Sequence, residues 1–94
     1  MGYYVVAYDI GNSKIRKKVG DALEAYGTRV NYSVFEIEIK SKAQMKALEK
    51  ELLGLIDEKV DSLRFYSVCE KCLLKSWSLG DEPAPFEKQA VYFF

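Results

Sequence analysis

The chain has 94 residues, 49% of them hydrophobic, and its fourteen basic and fourteen acidic side chains cancel to a formal charge of zero. That length fits one small domain, and no apolar run approaches the roughly 20 residues that a membrane helix needs. With no histidine, Ser-His and Cys-His nucleophile pairs are excluded, which leaves carboxylates, lysines, tyrosines or a metal for acid–base work.

The N-terminus enters Tyr3-Tyr4-Val5-Val6-Ala7-Tyr8-Asp9-Ile10 at once, without the basic region of a signal peptide. A soluble, cytoplasmic protein is therefore expected. The run is β-branched and aromatic and apolar on both alternating faces, so it predicts a strand near the middle of a sheet, buried on both sides. Asn12 or Ser13 can cap a following helix that runs to about Tyr26. Ile15, Val19, Ala22, Leu23 and Tyr26 share one face of it, and Gly27 is expected to end it.

Residues 28–39 alternate but change phase: Val30, Tyr32 and Val34 have one parity, Phe35, Ile37 and Ile39 the other. A strand with one buried face does not switch. The segment reads as a short and a longer strand joined by a bend near Tyr32-Ser33, with a bulge as the alternative. Ser41-x-x-Gln44 is a capping-box pattern for a second helix, carrying Met45, Leu48, Leu52 and Leu55 and ending near Asp57. Ser62–Val68 predicts a further strand, and 73–79 a possible one after a cysteine turn. Residues 80–85 read as a connector. The apolar end, Val91-Tyr92-Phe93-Phe94, reads as a strand added to a sheet edge of its own chain or a neighbour's.

The order β-α-β-β-α-β is an α+β, ferredoxin-like arrangement, with helices on one face of an antiparallel sheet. It assigns residues 1–80 to the domain and 81–94 to a C-terminal extension with an extra strand. The other sheet face stays open. A chain this short buries a modest share of its surface, so that face is expected to form a homodimer.

Two features bear on chemistry. Cys69 and Cys72 form a Cys-x-x-Cys; one such pair could complete a zinc site only across a dimer, and it reads as two reduced thiols in a turn without catalytic duty. Asp9 closes an apolar strand, where a carboxylate is costly unless it meets a partner, a metal or water. It either caps the Gly-Asn-Ser turn or emerges at the sheet edge as a ligand. Nearby, Lys14, Arg16, Lys17, Lys18 and Arg29 outnumber Asp21 and Glu24. A metal-binding carboxylate beside cations suits a phosphodiester substrate.

The strand Val-x-Tyr-Asp-Ile, the helix with Arg16, Tyr26 to Glu36 (Tyr-Gly-x-Arg-Val-x-Tyr-Ser-Val-Phe-Glu) and Asp61 to Tyr66 (Asp-Ser-Leu-Arg-Phe-Tyr) together resemble the CRISPR-associated protein 2 family over about residues 3–80. The resemblance implies a ferredoxin-like homodimer whose first-strand aspartates face each other near the two-fold axis. It implies metal-dependent endonuclease activity on RNA or DNA, and a complex with the CRISPR-associated protein 1 integrase in spacer acquisition. Asp9 would then be catalytic and hold Mg2+ (or Mn2+), an ion that favours oxygen ligands and often takes one or two carboxylates. Lys14, Arg16, Lys17, Lys18 and Arg29 would bind nucleic acid, with Tyr8, Ser33 and Phe35 shaping the site. Asn31 stands where the family usually has glutamine. Two alternatives compete: a non-catalytic nucleic-acid scaffold, and an unrelated ferredoxin-like module that binds a small ligand.

Overall fold

The computed structural model describes residues 2–80 and 85–86. Four strands and three helices follow one another: β1 (Gly2–Asp9), α1 (Ser13–Glu24), β2 (Gly27–Asn31), β3 (Val34–Ile39), α2 (Lys42–Leu53), β4 (Ser62–Val68) and α3 (Glu70–Leu74). The sheet order is β2-β3-β1-β4, every neighbouring pair antiparallel, which is the ferredoxin-like topology. The Val91–Phe94 strand expected from the sequence lies outside the described residues.

Strand register sorts the side chains. Val6 pairs with Phe35 on one side and Phe65 on the other, so all three share a face. That face carries Val6, Tyr8, Phe35, Ile37 and Ile39 against Val19, Leu23, Leu48 and Leu52 of the helices, which together form the core. The opposite face carries Tyr3, Val5 and Ala7, which are half-buried, and Asp9, which is exposed. β1 is therefore central, as expected, but within one chain only its helix-facing side is buried. Phe86 partly covers the other side: its ring meets Tyr3 edge-on at 5.8 Å, and its N–H donates to Glu36 Oε1 at 2.8 Å.

Local chemistry sets the element ends. Asn12 caps α1, its Oδ1 accepting the N–H groups of Lys14 (2.9 Å) and Ile15 (3.1 Å). Ser41 caps α2 by accepting the Gln44 N–H at 3.1 Å, while Gln44 reaches back to the Lys40 N–H at 2.6 Å.

Four expectations need correction. α1 stops at Glu24 rather than Tyr26, because the Tyr26 carbonyl already accepts the Glu38 N–H at 3.0 Å and ties the chain to β3. Gly27 is not the helix stop but the first residue of β2, and a Cβ there would overlap the Glu36 carbonyl and lie 2.6 Å from Ile37 Cα. α2 ends at Leu53 with Gly54 as its cap; Leu55 and Ile56 pack on the core from the following turn, so their helical spacing continued beyond the helix itself. The strand expected over 73–79 is absent; Leu73 and Leu74 belong to α3, whose buried Leu73 is held from a helix rather than a strand. The phase change in 28–39 has both proposed causes at once: a Tyr32-Ser33 turn, and a register shift between Arg29 and Asn31.

Candidate functional site

Asp9 ends β1 opposite Ser62 of β4 and lies on the open face. Its carboxylate is exposed and has no hydrogen-bond or ion-pair partner among the described residues. It does not cap the following turn; Asn12 does that work.

On the helix-facing side of the same strand end, two arginines are held in place. Arg16 donates to the Ile10 carbonyl at 2.9 Å, and its guanidinium lies 5.5 Å from the centre of the Tyr32 ring. Arg29 donates to the Tyr32 carbonyl at 3.0 Å and lies 5.2 Å from the centre of the Phe35 ring. Each guanidinium thus keeps further N–H donors while its position is set by a carbonyl and an aromatic face. Phosphate oxygens are natural acceptors for such forks.

Tyr8 and Phe35 form the floor. Their rings stack at 6.2 Å, and the Tyr8 hydroxyl is buried without a hydrogen-bond partner among the described residues. Burial pushes its pKa above the ordinary value, against the pull of the nearby Arg29 and Arg16 charges. Tyr8 therefore stays a neutral phenol. Ser33 acts through its backbone: its carbonyl accepts the Tyr8 N–H at 3.0 Å and fastens the β2–β3 turn to β1.

The remaining cations lie elsewhere. On a helix at 100° per residue, Lys14, Lys17 and Lys18 share one flank, whereas Arg16 falls on the other. Lys17 pairs with Asp21 at 3.0 Å, with both side chains largely exposed, so this contact is worth well under about 1 kcal/mol. The five predicted basic residues therefore split into an arginine cluster and an outward lysine flank.

Two residues of the cluster were not singled out from the sequence. Tyr32 supplies both a ring and a carbonyl to the arginines. Gly20 lies inside α1, where a Cβ would be 2.5 Å from Arg29 Nη2. A glycine within a helix costs about 1 kcal/mol relative to alanine, and that cost was the available signal of a close approach.

The metal question turns on ligand number. Asp9 is a suitable oxygen donor for magnesium or manganese. Among the described residues, however, no three His, Cys, Asp or Glu side chains gather to hold an ion. Among the described residues Asp9 is thus a lone carboxylate donor, and a second copy, the substrate and water could supply further oxygens.

The family model for CRISPR associated protein Cas2 matches residues 1–76. The chain is similar to CRISPR-associated endoribonuclease Cas2 3 of Synechocystis sp., with 43% identity over 83 residues, covering 88% of this chain and 89% of that one. A crystal structure of a hypothetical protein from Thermus thermophilus superposes with a TM-score of 0.76 at 34% identity, covering 89% of this chain and 96% of that one. A subunit of a partial Cas6-RT-Cas1–Cas2 complex superposes with a TM-score of 0.73 at 29% identity, covering 84% and 91%. A family match over four-fifths of the sequence, together with the shared fold, shows that this chain belongs to the CRISPR-associated Cas2 family.

Proposed function

We propose that the chain is a CRISPR adaptation protein: a homodimeric, metal-dependent endonuclease that binds RNA or DNA and joins the Cas1 integrase in spacer acquisition. The observation that carries the proposal is the exposed Asp9 carboxylate, without a partner among the described residues, at the end of a central strand whose helix-facing side also positions Arg16 and Arg29. A relative named as an endoribonuclease and a structural relative within a Cas1–Cas2 assembly support it.

Pairing two open sheet faces would cover Tyr3, Val5 and Ala7 and bring two Asp9 carboxylates together. That pair would supply the two carboxylates that the ion often takes. Magnesium or manganese, when bound, supplies positive charge at the scissile phosphodiester. The chain's own residues do the rest. Arg16 and Arg29, on the helix-facing side of the same strand end, donate to other phosphates of the bound strand. Tyr32 and Phe35 hold the two guanidinium planes, and Tyr8 supplies a rigid apolar floor. Residues 1–80 form the working domain.

The test is cleavage of labelled single-stranded RNA and double-stranded DNA by wild type and Asp9→Ala, with magnesium, manganese or chelator. Metal-dependent cleavage that vanishes in an intact Asp9→Ala dimer supports the proposal. Equal cleavage by both proteins sinks it.

The separate Lys14, Lys17 and Lys18 flank favours a second reading, in which the protein is a non-catalytic scaffold for duplex DNA. Charge reversal at Lys14 and Lys18 then weakens DNA binding and reduces its salt dependence, while Asp9→Ala leaves binding unchanged. DNA affinity that ignores the reversal removes this reading.

A further inference from the structure

Cys69 and Cys72 lie at the opposite end of β4 from Asp9, since Ser62 pairs with Asp9 and Val68 with Tyr3. Contrary to the sequence reading, Cys-x-x-Cys does not sit in a plain turn. It opens α3, with Cys69 as the residue that caps it. Cys69 Sγ accepts the Cys72 backbone N–H at 3.4 Å, and the two sulfurs lie 3.3 Å apart. Both thiols are free and exposed. The helix is anchored by buried Leu73 and by the Leu73 N–H, which donates to the Cys69 carbonyl at 2.9 Å.

The two thiols are chemically unequal. Hydrogen bonds from the Cys72 backbone and thiol hold the Cys69 thiol below its ordinary range. Donating to Cys69, and facing its charge, pushes the Cys72 thiol up. A more acidic, exposed thiol in contact with a less acidic one is the arrangement of an attacking and a resolving cysteine. A covalent bond needs the sulfurs only about 1.2 Å closer than their present contact. Among the described residues no third ligand gathers with them for a metal.

We propose that Cys69 and Cys72 form a reversible dithiol–disulfide pair, with Cys69 attacking and Cys72 resolving, and with a small-molecule disulfide of the glutathione type as oxidant. The Cys69 thiolate attacks one sulfur of the small disulfide. That S–S bond breaks, a mixed disulfide forms on Cys69, and the first small thiolate leaves and takes a proton from water. Cys72 then loses its proton to solvent, and its thiolate attacks the Cys69 sulfur. The Cys69–Cys72 bond forms as the mixed disulfide's S–S bond breaks, and the second small thiolate leaves and takes a proton from water. The protein dithiol has lost two electrons, and the small disulfide has gained them. The new bond fastens the end of β4 to α3, where the chain sets out toward its C-terminal extension.

The test uses the full chain in glutathione mixtures of rising oxidised fraction, quenched with acid, alkylated and weighed intact. Wild type should lose both alkylatable thiols together, retain no glutathione, and recover both thiols in dithiothreitol. Cys72→Ser should trap one glutathione on Cys69. Cys69→Ser should take up glutathione about tenfold more slowly, because its remaining thiol lacks the acidifying hydrogen bonds. Equal uptake by the two variants would overturn the assignment of roles. Glutathione retained on both wild-type cysteines, disulfides between chains, or thiols that stay free because two chains share one zinc ion would overturn the pair.

Discussion

Replacing Tyr8 with Phe removes one oxygen from the floor of the arginine cluster and nothing else. The ring contact with Phe35 at 6.2 Å is kept. The hydroxyl is buried and has no partner among the described residues, and leaving such a group unpaired costs about 1–3 kcal/mol. The positive field of Arg29 and Arg16 bears chiefly on the ionised form, so the lower end of that range applies. Tyr8→Phe should therefore stabilise the fold by about 1 kcal/mol, which raises Tm by roughly 4–8 °C in a domain of this size. Urea unfolding at fixed protein concentration, to hold any dimer equilibrium constant, reads the change as a higher midpoint with an unaltered slope. The pH dependence has a definite sign. Burial raises the folded-state pKa of Tyr8 above the ordinary 10.0, so the stability that wild type holds below pH 10.0 is lost as pH rises through that higher value. Phe has nothing to ionise, and the gap between the proteins should widen in alkali. A variant less stable than wild type by 1 kcal/mol or more, or a gap that stays constant above the ordinary tyrosine pKa, would refute the reasoning by showing that the hydroxyl has a partner.

Other substitutions separate packing from site geometry. Gly27→Ala drives a Cβ into the Glu36 carbonyl, so urea unfolding should show a loss of about 3 kcal/mol or more. Gly20→Ala should change stability by less than about 1 kcal/mol, because the gain in helix propensity offsets the displaced Arg29. By fluorescence anisotropy, the same variant should bind nucleic acid about threefold or more weakly, since Arg29 loses its carbonyl and ring supports. Glu36 is held above the ordinary carboxyl range by burial, against the Phe86 N–H. The stability it contributes is full below its unfolded pKa and is lost as pH rises through the folded value. Glu36→Gln should therefore be the more stable protein at neutral pH, with the advantage disappearing in acid unfolding series.

Much of the fold could be read from the residues because its signals are local. Asn12 and Ser41 cap helices through their own side chains, and the core face of α1 follows from spacing alone. Most of the failures come from contacts distant in sequence, and the last from a local cap. Gly27 looks like a helix stop, yet it is needed for the approach of β3 nine and ten residues later, at Glu36 and Ile37. Leu55 and Ile56 keep helical spacing while packing from a turn. The segment after Cys69 has strand-like composition, but Cys69 satisfies a free N–H and starts α3 instead. The site divides in the same way. Asp9, Arg16 and Arg29 stand out by charge and position, whereas Tyr32 and Gly20 matter only because a turn and a helix meet over the arginines. Sequence also placed the five cations together; helical geometry separates them.

The central claim is that two chains share one Asp9-centred nuclease site. The most direct measurement is metal-dependent cleavage by mixtures of wild type and Asp9→Ala at constant total protein, after subunits have exchanged. If both Asp9 carboxylates are required, an equal mixture should keep about a quarter of wild-type activity, the share of dimers with two wild-type chains. Activity that falls in direct proportion to the wild-type fraction, or that persists in pure Asp9→Ala, would contradict it.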